Sequence, residues 1–349
     1  MGRTSIRLGE VSIAPGEQRS IELPLPSFYS HTPVVMPVHV LNGRRDGPVL
    51  FVSAAIHGDE INGVEIIRRL LNIRSIRKLK GALIAVPVVN VYGFISQSRY
   101  LPDRRDLNRS FPGSESGSMA ARLAFTFMRE VVSQCTHGID LHTGAIGREN
   151  LPQIRAKVLD APQTAAMACA FGAPVILNSE LRDGSLREAV AEFGIPVLLY
   201  EAGEALRFDE VAIRAGVKGI TRVMRHLGML SRDSSRKKAT APFVAKKSQW
   251  VRAPQSGVLR MIAPLGRQVS KGDIIGRIAD PFGEQEIEVR SDASGIIIGK
   301  TNLPLVYEGE ALFHIARFKE PDFATESVEA FQEEHDPRSS FSEEEPVIV

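Results

Sequence analysis

Apolar residues in this chain fall into successive rhythms, and each predicts a different kind of structure. Over residues 1–47, short apolar runs such as Val34-Val35 and Val38-His39-Val40-Leu41 are broken by Pro15-Gly16, Pro24, Pro26 and Pro33, a strand-and-turn texture. From residue 48 the runs lengthen. Residues 48–56 and 82–89 are short buried runs, the pattern of strands covered on both faces. Between them Ile61, Val64, Ile67 and Leu71 recur at helical spacing. Helices are expected again over 119–132, 161–170 and 209–229, and strands over 138–141 and 195–200. This alternation predicts an α/β fold, a sheet sandwiched between helices.

The rhythm then breaks. Ser231-Arg232-Asp233-Ser234-Ser235-Arg236-Lys237-Lys238 is polar, basic and unpatterned, as a solvated connector should be. From Trp250 to Ala316, short β runs at 257–260, 273–278, 287–289, 295–298 and 312–315 alternate with glycine-bearing turns. They predict a second, smaller all-β domain, a barrel or sandwich. Beyond residue 318 acidic side chains far outnumber Lys319 and Arg338, the composition of a mobile tail with one helical turn near Val328 and Phe331. The expected units are a domain over 1–230 that carries the chemistry behind an N-terminal β segment, a linker over 231–248, an all-β domain over 249–318, and an acidic flexible tail over 319–349.

Composition narrows the function. At 349 residues the chain is long enough for two domains, and 43% hydrophobic with 24% charged residues is globular, which excludes disordered and collagenous classes. Lys+Arg 43 against Asp+Glu 41 leaves +2, so no overall field draws it to nucleic acid or an acidic membrane. Cys135 and Cys169 are too few for a disulfide framework or a four-thiolate zinc site, and point to a reducing compartment. The opening MGRTSIRLGE lacks the apolar core of a signal peptide, and Ile6 stands where a myristoylation signal has Ser or Thr. No run approaches the ~18 apolar residues of a membrane span. The expectation is a cytoplasmic protein with no nucleic-acid or membrane partner; homo-oligomerisation stays open.

The sharpest local feature is His57-Gly58-Asp59-Glu60, where a buried strand gives way to a helix. An imidazole and a carboxylate three residues apart can converge on one cation, with Gly58 allowing a tight turn between them. The same pattern also describes a surface turn followed by an acid at a helix N-terminus. His142, in Gly138-Ile139-Asp140-Leu141-His142-Thr143-Gly144, ends another buried strand, the edge where open α/β sheets build their sites. Asp140 is expected on the opposite side of that strand, as a supporting residue. Glu201, after the apolar Val197-Leu198-Leu199-Tyr200, is a candidate general base, with Glu204 as its neighbour and rival. Asn90, Arg99 and the run Arg104-Arg105-Asp106-Leu107-Asn108-Arg109 form a polar cluster, either a set of anion-binding donors or a solvated loop.

Taken together, His57-x-x-Glu60, Asp106-Leu107-Asn108-Arg109, Asp140-Leu141-His142 and Glu201-Ala202-Gly203 resemble the succinylglutamate desuccinylase/aspartoacylase family, whose members are similar in fold and site to zinc carboxypeptidases. The resemblance implies a zinc-carboxypeptidase-like α/β/α mixed sheet. It also implies one Zn2+ per chain on His57, Glu60 and His142, Glu201 as general base, Arg99 polarising the scissile carbonyl, and Asn108 with Arg109 gripping a substrate carboxylate. Arg155 is a further anion-binding candidate. Residues 249–318 resemble the biotinyl/lipoyl-like β module appended to many bacterial members, through Arg252-Ala253-Pro254-x-x-Gly257 and Asp280-Pro281-Phe282-Gly283. Gly283-Glu284-Gln285-Glu286-Ile287-Glu288 has no lysine for a covalent cofactor, so a structural or site-covering role is expected. The expected activity is zinc-dependent hydrolysis (deacylation) of the amide of a small N-acyl amino acid or related acidic substrate. The alternatives are a metallocarboxypeptidase-type peptide hydrolase and a catalytically silent binding protein.

Overall fold

The apolar runs of the first 230 residues become strands at the centre of one large mixed sheet. In the computed structural model residues 3–231, 243–318, 328, 330, 331 and 333–335 are described. The basic connector over 232–242 and the tail residues 319–327, 329, 332 and 336–349 lie outside the described residues. In chain order the strands are β1 (Gln18–Leu25), β2 (Val34–Asn42), β3 (Arg45–Ala54), β4 (Lys80–Val86), β5 (His137–Gly144), β6 (Arg148–Ala156), β7 (Val175–Asn178) and β8 (Val197–Glu204). Parallel pairing joins β3 to β4 and β5, and β5 to β8; β6 runs antiparallel to β8. On the far side β2 and β1 are added antiparallel beyond β4.

Helices α1 (Asn62–Leu71), α2 (Met119–Glu130), α3 (Pro162–Phe171), α4 (Leu186–Glu192) and α5 (Glu210–His226) cover both faces of that sheet. The pleat divides each strand between them. Leu50 and Val52 of β3 pack with Ile67 of α1, Phe171 of α3 and Ile220 of α5, whereas Phe51 packs on the other face with Phe127 of α2 and Val190 of α4. No described helix is long and apolar enough to cross a membrane.

Strands β6 and β7 are among the elements that escape the sequence pattern. Strand β6 contains Pro152, which lacks a ladder donor and ordinarily argues against a central strand. The structure places Pro152 where pairing changes hands: residues 148–150 pair with 299–301, residues 153–156 pair with β7, and the register with β8 shifts between Glu201 and Gly203. Short β7 escapes because Pro174 and the polar Asn178 truncate its apolar run.

The segment expected as a separate all-β domain divides between two sheets. Its strands are β9 (Lys247–Arg252), β10 (Gly257–Met261), β11 (Ile274–Ala279), β12 (Glu286–Arg290), β13 (Gly295–Thr301) and β14 (Ala311–Arg317). β13 pairs antiparallel with β6, β14 with β13 and β9 with β14, so the large sheet runs unbroken into the C-terminal segment and reaches 13 strands. β10, β11 and β12 form a four-stranded antiparallel sheet with Leu305–Val306. Leu259, Ile275, Ile278 and Val289 of this sheet meet Ile297, Phe313 and Ile315 of the large one in a shared core. Of the acidic stretch, Val328 and Phe331 are helical and buried, and Arg222 pairs with Glu334 at 2.8 Å. These residues dock because two apolar side chains and a cationic partner reward ordering them.

His314 of β14 is buried against Trp250 of β9, ring centroids 4.6 Å apart and planes 7° from parallel. Burial, and then the charge of Arg155, pulls its imidazole down to about 3. The unfolded chain, with an ordinary histidine near 6.5, binds the proton more readily over the window between those values. Stability should therefore rise with pH from about 3 to 6.5 and be lost as pH falls through that range, by about 5 kcal/mol at most. Urea unfolding from pH 7 to pH 4 checks this: His314→Phe should flatten the dependence, and an unchanged slope would remove His314 as its source.

Candidate active site

The first site residues stand where β3 stops. Val89 and Asn90 donate backbone hydrogen bonds to Ala54 and Ala55 at 3.0 and 2.9 Å, and Ala55 takes a left-handed φ of 51°, which turns the chain out of the sheet. Gly58 is needed for close approach rather than for a left-handed turn. A Cβ there would lie 1.9 Å from the Gly93 carbonyl carbon, so the neighbouring Val91–Ile95 helix fixes the His57–Glu60 turn through backbone contact. Glu60 stands two residues before α1, ahead of the N-cap residue Ile61. His142 lies near the C-terminal end of β5 and is in register with Glu201 on β8.

These elements bring His57, Glu60 and His142 together, all buried, with one donor atom from each within 4.8 Å of the others. Glu60 sits between the rings: Oε1 is 2.7 Å from His57 Nδ1 and Oε2 2.7 Å from His142 Nδ1. Each ring meets a second carboxylate through its other nitrogen, His57 Nε2 to Asp106 at 3.1 Å and His142 Nε2 to Asp140 at 2.7 Å. Asp140 therefore shares a face with His142, against the expectation that it points away. Residues two apart on a strand lie on the same side of the pleat. Ser53 Oγ donates to Asp140 at 2.8 Å and the Thr143 amide to Glu60 at 3.1 Å.

Charge accounts for the protonation of this cluster. Burial alone would push the Glu60 carboxyl up, but the cations of His57 and His142 outweigh it and hold Glu60 well below the usual carboxylate range. Burial would likewise lower both imidazoles. Asp140 and Glu60 overcome it at His142, and Glu60 and Asp106 overcome it at His57, so both rings lie above their ordinary value. Two imidazole nitrogens facing the two oxygens of one buried carboxylate are a donor set that a divalent ion can take over once the nitrogens are free of protons. The donor set, two imidazole nitrogens and a carboxylate with carboxylates behind each ring, fits Zn2+.

A cleft of about 300 Å³ opens from this cluster. Arg99, Asn108, Arg109, Arg155 and Glu201 all line it. Arg99 bonds Asp106 Oδ2 at 3.0 and 3.2 Å and reaches Glu60 Oε1 at 3.3 Å. Asn108 Oδ1 accepts from the Leu186 amide at 2.9 Å, and Arg109 Nη1 donates to the Asn108 carbonyl. Arg155, expected to meet an anion, meets the carboxylate of Glu201 in an ion pair. Glu204 lies outside the lining and is occupied structurally, accepting from the Gly147 amide and Asn302 Nδ2, both at 2.8 Å.

Among the lining residues that escape the sequence reading are Arg148, Arg182, Arg187 and Trp250. Burial, and then Arg155, lowers the Arg187 guanidinium to about 10. A signal for it existed. Ser185-x-x-Glu188 has the spacing of a helix start, and Ser185 Oγ does accept the Glu188 amide at 3.3 Å, which places Arg187 in the first turn of α4. Nothing local marks Trp250, which reaches the cleft only because β9 joins the large sheet.

A family model described as the succinylglutamate desuccinylase/aspartoacylase catalytic domain matches residues 46–227. Over 298 residues, 82% of this chain and 87% of the relative, the sequence is 27% identical to the N-alpha-acetyl-L-2,4-diaminobutyric acid deacetylase of Halomonas elongata. Among solved structures the chain is similar to the product-bound ectoine utilization protein EutE (DoeB) of Ruegeria pomeroyi, with 26% identity, a TM-score of 0.76, and coverage of 90% of this chain and 96% of that one. In fold it is also similar to a succinylglutamate desuccinylase of Silicibacter sp. TM1040, with 24% identity, a TM-score of 0.78, and coverage of 91% and 100%.

Proposed function

The chain belongs to the succinylglutamate desuccinylase/aspartoacylase family, and on that premise we propose that it is a zinc-dependent amidohydrolase that deacylates a small N-acyl amino acid. One observation carries the metal part of this reading: each Glu60 oxygen lies 2.7 Å from an imidazole whose other nitrogen is backed by a carboxylate. Such backing fixes ring orientation and raises ligand basicity. His57, Glu60 and His142 would hold the ion. When bound, zinc supplies Lewis-acid charge that polarises an amide carbonyl and acidifies water.

The remaining work falls to the chain's own groups. Glu201, in register with His142, takes the proton of the attacking water and returns it to the departing amine nitrogen. Arg99, beside Glu60, offers a guanidinium to the carbonyl oxygen as negative charge develops there. Asn108 has its Oδ1 committed to the Leu186 amide, so its Nδ2 is the group available to substrate, next to Arg109. The 249–318 segment, similar to a biotinyl/lipoyl-like sandwich, serves as a wall of the cleft through Trp250.

The charge of the cleft selects among acyl amino acids. Arg109, Arg148, Arg182 and Arg187 line it beside Arg99 and Arg155, whose charges are already met by Glu60, Asp106 and Glu201. A substrate with a second carboxylate gains from this field, and one with a free ammonium is repelled. The H. elongata relative is named for a substrate with an ammonium side chain; this chain is expected to differ, preferring N-acetyl-aspartate or N-acetyl-glutamate over N-acetyl-diaminobutyrate by about tenfold or more in kcat/KM. Amine release by the zinc-loaded protein from N-acetyl, N-succinyl and N-formyl amino acids tests the whole reading. Bound zinc without turnover on that panel would overturn it, and preference for the diaminobutyrate substrate would overturn the charge argument.

A further inference from the structure

Arg155 is the cleft arginine whose surroundings least resemble an open anion site. The β6–β8 register pairs Leu199 with Arg155 and Glu201 with Gln153, so Arg155 and Glu201 sit on one face, one diagonal step apart. Arg155 Nε and Glu201 Oε2 form an ion pair, both atoms are buried, and neither has a hydrogen-bond partner among the described residues. Each charge is thus compensated by the other, since a buried charge without an opposite neighbour is costly. The next guanidinium, Arg187, is bound to Ser179 Oγ at 3.1 Å and the Glu180 carbonyl at 3.3 Å, so it does not displace Arg155 from Glu201. His314, whose imidazole burial and then Arg155 hold low, brings no rival charge.

A carboxylate that moves a proton must hold one oxygen within about 2.6–3.2 Å of the water it serves. The terminal torsion of a glutamate is broad, and an unrestrained carboxylate spends much of its time turned elsewhere. We infer that Arg155 is a positioning residue for the general base: by holding one Glu201 oxygen, it leaves the other fixed for proton transfer. This inference rests on the reading of Glu201 as base, and it assigns Arg155 to the base rather than to the substrate.

The test is Arg155→Met beside Arg155→Lys, each alone and combined with Glu201→Gln, with thermal melting as a check on folding. Arg155→Met should lower kcat about 100-fold with KM within about threefold, and Arg155→Lys should restore about tenfold of that loss. In the Glu201→Gln background neither change should cost more, because a positioning residue has nothing left to position. A KM increase of tenfold or more with kcat kept, or losses that add in the double variant, would make Arg155 a substrate-binding group and end the inference. If Arg155→Met does not fold, the KM-against-kcat split of Arg155→Lys decides alone. Failure of the underlying reading looks different: Glu201→Gln would then turn over at the wild-type rate, whatever stands at 155, and the inference would fall with it.

Discussion

Glu201→Gln should lower kcat by about 10³-fold while zinc content stays at the wild-type value. The amide keeps the shape of the side chain but cannot take a proton, and Glu201 is not among the residues clustered at the metal position. The ion pair with Arg155 is lost as well, so the variant should melt somewhat lower, which separates a folding effect from a chemical one. Single-turnover amine release, with zinc measured on the same sample, checks both halves. Turnover within tenfold of wild type would take Glu201 out of the reaction.

Removal of a ligand should have the second large effect. His142→Ala deletes one of three donors from a centre whose zinc binding free energy is expected on the order of 10–16 kcal/mol, so affinity should fall about a thousandfold and hydrolysis should reach background. The loss is sharpened by what remains: Asp140 and Glu60 both lose the imidazole facing them. Asp140→Asn, which keeps the ligand but weakens its support, should cost only about 10–100-fold. Zinc titration after chelator dialysis orders the two variants. Full zinc retention by His142→Ala would show that the ion, if bound, sits elsewhere.

Much of the catalytic half was legible in the sequence because its strands are covered on both faces. Residues 48–56, 82–89 and 195–200 read as buried strands, and the structure builds Arg45–Ala54, Lys80–Val86 and Val197–Glu204 from them. Helical spacing likewise placed Asn62–Leu71 and Met119–Glu130 to within a few residues. Strand β6 was not legible. Pro152 and the polar Glu149, Gln153 and Arg155 break its pattern, and only the neighbours that pair with it on either side of the proline make it a strand. The C-terminal segment was read correctly as β and glycine-punctuated, but its division between two sheets depends on the open edge of β6, which no local pattern reports.

The same split runs through the site. Residue type and strand-end position singled out His57, Glu60, His142 and Glu201 as candidates, because groups able to hold a metal or carry a proton are recognisable and buried strands end where the sheet opens. Which group faces which is a matter of distance, and distance between residues far apart in the chain is set by packing. Folding alone put Asp106 behind one imidazole and Asp140 behind the other, turned Arg155 onto Glu201, and carried Trp250 from the far end of the chain to the cleft wall. A sequence fixes which side chains are available within a few residues of each other; Coulomb energies depend on separations of a few ångströms across strands, and those exist only once the sheet has formed.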